Sequence, residues 1–167
     1  MQIIVNITKS WGIGREGDQP FYIPEDLAFF KAMTLGKVVI MGRATLAALP
    51  GGRPLKGRTN IVLTRNAEFE AEGVIICHSL EELFERLADF APEEIFVIGG
   101  AEIYAALLPH CTKAYITKIF AEADCDRFLP NLDEMPEWQL AKTSEIKNHE
   151  GIEFCFCEYE RRENYGN

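Results

Sequence analysis

The chain lacks the features that mark most disulfide-bonded, metal-binding and membrane-spanning proteins. Its five cysteines are an odd number with no C-x-x-C spacing, which argues against a disulfide framework and a zinc site. The three histidines are scattered and form no H-x-x-x-H pattern, so we predict no metal centre. No apolar run approaches a membrane span, and polar residues interrupt the first apolar run before a signal peptide forms. We therefore expect a cytoplasmic protein with reduced, mostly buried cysteines.

Acidic residues are missing from one stretch of the chain, although they predominate elsewhere. No Asp or Glu lies between Leu27 and Ala67, whereas seven Lys and Arg do. The whole chain has 17 basic and 26 acidic residues, and this formal charge of −9 argues against a nucleic-acid partner. The basic stretch is either chance surface charge or a segment that meets an anionic ligand, and the composition does not decide between them.

The remaining composition is that of a folded globular protein. Apolar residues make up 47% of the 167 positions, which is enough for a sizeable core. There is no low-complexity run, no internal repeat and no linker that would mark a second domain. We therefore expect a single domain over residues 1–167.

Apolar runs that alternate with helical patterns predict an α/β fold. The predicted strands are residues 3–7, 37–41, 60–64, 74–77, 95–98, 113–122, 138–143 and 152–161. One predicted helix begins near Pro24, and the others cover residues 43–49, 80–89 and 101–108. This alternation indicates a central, mostly parallel twisted β-sheet of about eight strands, covered on both faces by about four helices. The last two strands follow one another without a helix, so we expect them to pair antiparallel at an edge of the sheet.

A proline, an acid and several aromatic residues meet in the stretch from Ile13 to Met33. Pro24 suits the first turn of a helix, which places Asp26 in that turn. Large apolar residues follow Asp26 at helical spacing, so its carboxylate should face the interior. These residues are Phe29, Phe30 and Met33. The alternative is that Asp26 only satisfies free N–H groups at the helix N-terminus. The glycine-rich residues 12–17 predict a pliable lid beside it.

Two strand-to-helix junctions have the form of phosphate-binding elements. Each leaves free N–H groups at a helix start after a buried strand, and such junctions mark a binding crevice at the carboxyl ends of the strands. The junctions are Met41-Gly42-Arg43-Ala44-Thr45 and Ile98-Gly99-Gly100-Ala101. Neither is a G-x-G-x-x-G fingerprint, and a double glycine can also serve tight packing alone. Arg43 adds a planar cation that suits a phosphate, although it can also be an ordinary surface arginine.

Taken in order, these motifs resemble the dihydrofolate reductase family. The matching segments are residues 12–14, Pro20, 23–27, 39–45, 53–55, 57–58, 97–104 and 115–117. Each segment is weak evidence, but their order and spacing extend through nearly the whole chain. The resemblance implies NADPH-dependent reduction of 7,8-dihydrofolate to tetrahydrofolate in one-carbon metabolism. Hydride would pass from the nicotinamide to C6 of the pterin, and N5 would be protonated.

The resemblance also implies which residues bind the substrate. Asp26 would be the catalytic acid, binding the pterin 2-amino group and adjacent ring nitrogen and supporting protonation of N5 through a water. Thr117 would support Asp26 through a hydrogen bond, and Arg58 would bind the α-carboxylate of the glutamate tail. The implied substrate-binding residues are Val5, Asn6, Asp26, Leu27, Phe30, Leu49, Leu55, Arg58, Ile98 and Thr117.

The implied cofactor is NADPH, held at both junctions. Gly99 and Gly100 would let the pyrophosphate approach the backbone, and Arg43 would meet the 2′-phosphate together with Thr64, Arg65 and His78. The implied cofactor-binding residues are Asn6, Ile13, Gly14, Gly42, Arg43, Ala44, Thr45, Leu63, Thr64, Arg65, His78, Ile98, Gly99, Gly100, Ala101, Glu102, Ile103 and Tyr104.

Several residues depart from the family pattern. Phe21 stands where tryptophan is usual, Val5-Asn6 where alanine is common, and Gln19 where the lid is usually apolar. Leu46 replaces a frequent aromatic residue, and Cys125-Asp126-Arg127 replaces a Gly-Asp-Thr run. We hypothesise that diaminopyrimidine antifolates such as trimethoprim bind this chain more weakly than relatives with the usual residues. Inhibition constants that fail to improve when Phe21 and Asn6 are reverted would contradict this.

Two other functions remain compatible with parts of the pattern. A pyrimidine reductase of riboflavin synthesis shares the strand-glycine-glycine-helix element, and a pterin- or nucleotide-binding module needs no turnover. Asp26 and Arg58 at their spacing favour folate. No exposed apolar helix face stands out, so we expect a monomer.

Overall fold

The computed structural model describes residues 1–163, so the last four residues of the domain expected over 1–167 lie outside it. The helices are α1 (Pro24–Thr34), α2 (Arg43–Ala48), α3 (Leu80–Leu87) and α4 (Ala101–Leu107). The strands are β1 (Gln2–Ile7), β2 (Gly12–Gly14), β3 (Val38–Gly42), β4 (Thr59–Leu63), β5 (Ile75–Cys77), β6 (Ile95–Gly99), β7 (Lys113–Ile119), β8 (Arg127–Phe128), β9 (Trp138–Thr143), β10 (Lys147–His149) and β11 (Ile152–Arg161). None of the helices within residues 1–163 has the length and apolarity that crossing a membrane requires.

The main sheet is mixed and mostly parallel. Eight strands follow one another in the order β10-β11-β7-β1-β6-β3-β4-β5, and β9 also pairs with β11. The strands from β7 to β5 in that order are parallel, whereas β11 is antiparallel to β7, β9 and β10. This arrangement confirms the predicted fold class, including the antiparallel C-terminal strands.

Alternate residues of the central strands pack on opposite faces of the sheet, and each face is covered by its own pair of helices. The face covered by α3 and α4 buries Ile3, Val38, Ile40, Ile61 and Val97. The face covered by α1 and α2 buries Ile4, Val39, Met41, Val62 and Phe96. Burial on both sides explains why these strands read as continuous apolar runs in the sequence.

Three short strands were not predicted. Strand β2 pairs with β8 in a separate two-stranded sheet, and β10 pairs with β11. Strands of two or three residues show no periodicity, because their pairing depends on distant parts of the chain. The ends of α3 and β7 also differ from prediction: α3 ends at Leu87 and β7 at Ile119, where the apolar pattern continued further.

Candidate active site

The predicted ligand-binding residues gather where parallel strands of the main sheet end. Asn6 of β1 lies in register with Thr117 of β7, and Met41 of β3 pairs with Gly99 of β6. The carboxyl ends of these strands therefore meet along one side of the molecule. Ligands of open α/β sheets bind in the crevice at such ends.

Asp26 lies at these strand ends, and both of its carboxylate oxygens have partners. Pro24 opens α1, so Asp26 falls in the first turn as predicted. The Thr117 hydroxyl donates a hydrogen bond of 2.6 Å to Oδ1, and the Asn6 amide Nδ2 donates one of 2.9 Å to Oδ2. Because Asn6 and Thr117 are paired across β1 and β7, the sheet fixes the orientation of the carboxylate from below.

Asp26 holds a proton more readily in the folded protein than an aspartate side chain does in water. Burial raises the pKa of the Asp26 carboxyl above its ordinary value, and the hydrogen bonds from Thr117 and Asn6 oppose this rise in pKa only in part. Within the described residues, no charged side chain is among the causes of this pKa shift. A carboxylate in this setting can accept two hydrogen bonds from a planar ligand and remain able to hold a proton.

Apolar side chains from α1, α2, the segment after α2 and β6 form a wall on the sheet face to which Asn6 also belongs. They are half-buried against the sheet face that carries Ile4 and Met41. The members of this wall that had been predicted are Phe30, Leu49, Leu55 and Ile98, and Leu27 is half-buried one residue after Asp26. The side chain of Val5 instead packs with Ile3 on the opposite face. Ile4 was not predicted, although strand alternation places it on the same face as Asn6.

Arg58 is the residue immediately before β4, and its side chain contacts Thr34 at the C-terminal end of α1. Its guanidinium donates to the Thr34 hydroxyl at 3.3 Å and to the Lys56 carbonyl at 2.9 Å. Partial burial lowers the pKa of Arg58, but an arginine stays cationic near neutral pH. Asn60 shapes this loop, because its buried amide bonds both the N–H and the C=O of Leu55 at 2.9 Å.

Sequence reasoning missed the supporting roles of Thr34 and Asn60. Asn60 is 4% exposed within the strand β4, and its amide also donates to the Arg58 carbonyl at 3.1 Å. The signal was available, since a polar side chain in an apolar strand has to find hydrogen-bond partners when it is buried. Its partners could not be read from spacing alone.

The two glycine junctions lie next to each other at the ends of β3 and β6. A Cβ atom added at Gly99, whose φ is +116°, would lie 3.0 Å from the Tyr104 ring, and one at Gly42 would lie 3.0 Å from Ile103 Cγ1. A Cβ at Gly100 would lie 3.6 Å from the Thr45 hydroxyl of the other junction. Glycine therefore keeps the backbone of both junctions bare and close together.

Two further contacts position the elements around these junctions. The buried Tyr104 hydroxyl donates to the Ile4 carbonyl at 3.0 Å, which attaches α4 to β1. His78 follows β5, and its Nδ1 lies 2.9 Å from the Thr64 carbonyl that follows β4. The predicted 2′-phosphate residues are thus brought together at neighbouring strand ends, with Arg43 at the next one.

The glycine-rich segment forms a lid that contacts the site. Ile13 and Gly14 belong to β2, which pairs with β8, and a Cβ at Gly14 would lie 2.5 Å from the Asp18 carbonyl oxygen. At the end of the lid, Gln19 Oε1 accepts a hydrogen bond of 3.4 Å from Asn6 Nδ2. Gln19 had been noted in the sequence only as a departure, and its contact with Asn6 was not foreseen.

The basic side chains of the acid-free stretch lack carboxylate partners among the described residues. Within residues 1–163, none of its seven basic side chains forms an ion pair with a carboxylate, whereas Arg15, Lys113 and Lys118 elsewhere do. The seven are Lys31, Lys37, Arg43, Arg53, Lys56, Arg58 and Arg65. These cations are available to an anionic ligand. Lys9, Arg86 and Lys142 elsewhere form no ion pair among the described residues either, so this observation alone does not separate such a ligand from chance surface charge.

The chain is similar to known proteins over most of its length. A family model described as dihydrofolate reductase matches residues 1–161. The chain is 40% identical over 150 residues to a dihydrofolate reductase from Bacillus subtilis, covering 87% of this chain and 86% of that protein. It is 44% identical over 138 residues to one from Haemophilus influenzae, covering 83% and 82%.

A solved structure, dihydrofolate reductase from Enterococcus faecalis complexed with NADP(H) and RAB-propyl, has the same fold. Its TM-score is 0.86 at 34% identity, over 96% of this chain and 95% of that one. The family match, the identities and the shared fold all extend over most of both chains, and they agree with the resemblance found in the sequence motifs. The chain belongs to the dihydrofolate reductase family.

Proposed function

We propose that this chain reduces 7,8-dihydrofolate to 5,6,7,8-tetrahydrofolate with NADPH, by hydride transfer to C6 and protonation at N5. The observation that carries this proposal is the Asp26 carboxylate, which is held at both oxygens, partly desolvated and flanked by an apolar wall. A flat heterocycle with two adjacent N–H donors is the kind of ligand that such a carboxylate binds in one orientation.

The pterin would lie against the apolar wall with its 2-amino group and adjacent ring nitrogen donating to Asp26. The wall formed by Phe30, Leu49 and Leu55 buries the ring and the aminobenzoyl group, and Leu27 and Ile98 extend it. Thr117 keeps the carboxylate in the plane that the pterin needs. Asn6 approaches the ring from β1, whereas Val5 can offer only its backbone because its side chain packs on the opposite face. Orientation of the ring is the main contribution of these residues to the rate.

Asp26 would also assist protonation of N5 of the pterin. A carboxyl with a raised pKa shares a proton with a bound base more readily than an ordinary carboxylate. We propose that Asp26 favours protonation of N5 through a water. Its alternative role as a helix-capping acid is less well supported, because its oxygens accept hydrogen bonds from side chains of β1 and β7.

Arg58 would bind the α-carboxylate of the substrate tail. Its planar guanidinium suits two parallel hydrogen bonds to a carboxylate. Within the described chain it has no acidic partner, and Thr34 and Asn60 hold its side chain and its loop. The substrate carboxylate would therefore complete an ion pair that the protein leaves open.

The junctions fit a dinucleotide, because each follows a buried strand and leaves free N–H groups at a helix start. Gly42 and Gly99 also serve internal packing, since a Cβ atom there would meet Ile103 and Tyr104. Arg43, Arg65, Thr64 and His78 form a cationic and polar group suited to a 2′-phosphate, which favours NADPH over NADH. The bound cofactor supplies the hydride. The other residues expected to line it are Asn6, Ile13, Gly14, Gly42, Ala44, Thr45, Leu63, Ile98, Gly99, Gly100, Ala101, Glu102, Ile103 and Tyr104.

The test is the loss of NADPH absorbance when dihydrofolate is added to the purified protein. We expect turnover with dihydrofolate and NADPH, much slower turnover with NADH, and none with the pyrimidine substrate of riboflavin synthesis. Oxidation of NADPH with the pyrimidine instead would identify the riboflavin-pathway reaction. Tight binding of dihydrofolate without any NADPH oxidation would identify a binding module.

We also propose that the chain is a single domain over residues 1–167 that acts as a monomer in the cytoplasm. The continuous cores on both sheet faces support the first point. The net charge of −9 is consistent with a partner that is neither nucleic acid nor an anionic membrane surface. Sedimentation equilibrium at micromolar concentration tests the monomer, and a dimer mass would contradict it.

A further inference from the structure

Asn6 uses both N–H groups of its side-chain amide within the site. One hydrogen bond of 2.9 Å runs to Asp26 Oδ2, and another of 3.4 Å runs to Gln19 Oε1 in the lid. A line of hydrogen bonds therefore extends from Gln19 through Asn6 and Asp26 to Thr117.

We propose that Asn6 and Gln19 are positioning residues for Asp26, and that they make the state of this acid depend on the position of the lid. The inference rests on the proposed function, since it concerns the same acid in the same reaction. It assigns a role in turnover to a lid residue that lies outside the pterin wall and the cofactor junctions.

The physical reason is the asymmetry of a primary amide. Gln19 presents its acceptor Oε1 to Asn6, and together with the Asp26 carboxylate it favours the orientation in which the Asn6 N–H groups face both residues. In this orientation Asn6 donates to Asp26 and favours the charged carboxylate. Without Gln19, the Asn6 amide is free to turn over and offer Oδ1, which favours a protonated Asp26 because that form can donate. The Gln19 contact therefore biases Asp26 toward the carboxylate that binds the pterin, and loss of that contact removes the bias.

The two contacts should differ in strength. The Asn6–Asp26 bond is short and partly buried, whereas the Gln19–Asn6 bond is 3.4 Å long and exposed. Hydrogen bonds weaken as they lengthen and as water competes for them. Loss of Asn6 should therefore have the larger effect, and loss of Gln19 a smaller one in the same direction.

Few other groups can influence the titration of Asp26. The side chains that face it are Asn6 from β1 and Thr117 from β7, and Thr117 stays in place in every variant considered. Glu25, its neighbour on α1, lies 3.3 Å from Lys147 of β10 in an ion pair of its own. A change in the pH dependence of turnover therefore reports on the Asn6 and Gln19 contacts.

The experiment measures kcat/KM for dihydrofolate against pH in the unaltered protein and three variants. These are Asn6→Ala, Gln19→Leu and the double variant. Loss of a donor to the carboxylate lets Asp26 hold its proton to higher pH, so we expect the alkaline limb of the Asn6→Ala profile to move to higher pH. Because the carboxylate also loses a contact that orients it for the pterin, we expect the plateau of kcat/KM below this limb to fall roughly three- to tenfold. Gln19→Leu should move the limb less, and the double variant no further than Asn6→Ala.

The matched control is Gln139→Leu on β9, which makes the same chemical change on an exposed strand away from the lid. Its profile should coincide with that of the unaltered protein. A uniform loss of kcat/KM at every pH in Asn6→Ala, with an unmoved limb, would overturn the inference. So would limb shifts of Asn6→Ala and Gln19→Leu that simply add in the double variant.

We expect Gln19→Leu to leave the stability of the protein unchanged, because Gln19 is exposed and lies outside the core. If thermal unfolding shows that Asn6→Ala does not fold, Gln19→Leu alone decides, and an unmoved limb then overturns the inference. An unaltered protein that oxidises no NADPH with dihydrofolate at any pH would overturn the proposed function and this inference with it. Normal turnover with an unmoved limb contradicts the inference alone.

Discussion

The candidate site contains two charged regions that the protein treats differently. The Asp26 carboxylate has a side-chain partner at each oxygen. The basic side chains between Leu27 and Ala67 have no carboxylate partner within the part of the chain that the structure describes. The acid is therefore oriented before a ligand arrives, whereas the cations are left for the ligand to neutralise. Changes at the acid should alter the rate and its pH dependence, and changes at the cations should alter KM.

Asp26→Asn should have the largest effect on the rate, and it tests the role of the Asp26 carboxylate most strongly. Removal of a general acid commonly costs 10²-fold or more, and we expect a loss of roughly that size in kcat at neutral pH. The rate should recover as the pH falls, because solvent then protonates the pterin directly. Pre-steady-state hydride transfer against pH measures this. An equal loss at acid and neutral pH would show that Asp26 does not support the proton.

The same variant should keep its stability at neutral pH. The pKa of Asp26 is raised in the folded protein, so the native state holds a proton to higher pH than the unfolded chain does. The free energy of unfolding therefore falls as the pH rises from the ordinary Asp pKa through the raised one. Asparagine removes this fall. Thermal unfolding at neutral pH should show a midpoint no lower than that of the unaltered protein, and a lower midpoint would make the carboxylate a structural group.

Arg58→Leu should have the next largest effect, and on KM rather than on kcat. A lost charge-assisted pair with the substrate tail should raise KM for dihydrofolate roughly ten- to hundredfold. KM for NADPH should stay unchanged. Arg86→Leu, on the exposed side of α3, is the matched control and should leave both constants unaltered. A fall in kcat with unchanged KM would contradict the assignment of Arg58 to the tail.

Arg43→Leu should separate the two ligands of the basic stretch. We expect KM for NADPH to rise roughly three- to tenfold, because an exposed arginine loses its contact with a phosphate. KM for dihydrofolate and KM for NADH should change little. A variant in which KM for NADH rises as much as that for NADPH would argue against a contact with the 2′-phosphate.

Salt should have the smallest effect and should act on the cations alone. The Debye length falls from about 10 Å at 0.1 M to about 3 Å at 1 M ionic strength. KM for both ligands should therefore rise a few-fold over this range, while the hydride-transfer rate, which depends on the partly buried Asp26, should stay nearly constant. A hydride-transfer rate that falls with salt while both KM values stay constant would contradict the assignment of the basic residues to ligand binding and of Asp26 to the rate.

Much of the fold was readable from the sequence because it depends on local patterns. Apolar runs identified the buried strands, and the helix predicted from residue 80 begins there as α3, after Ser79, whose hydroxyl accepts from the Glu82 N–H. Glu82 completes the cap differently from a standard capping box, since its carboxylate accepts from the His78 N–H. The two-residue strand β8 was missed because only its pairing with β2 defines it.

The residues of the candidate site also divide into those that local sequence patterns predict and those that depend on distant parts of the chain. Asp26, Arg58 and the glycine junctions stand out by residue type and spacing. Their partners do not. Thr117, 91 positions from Asp26, was predicted only through the family resemblance, and the Gln19–Asn6 contact depends on how the lid folds back. Asn60 and Thr34 look like ordinary strand and helix residues until the loop around Arg58 is seen.

The most direct test of the central claim is a crystal structure of the protein with folate and NADP⁺ bound. We predict that both Asp26 oxygens accept hydrogen bonds from the pterin 2-amino group and its neighbouring ring nitrogen. Arg58 should bind the tail carboxylate, and the pyrophosphate should lie at Gly99 and Gly100. A pterin bound away from Asp26, with that carboxylate turned to solvent, would contradict the account.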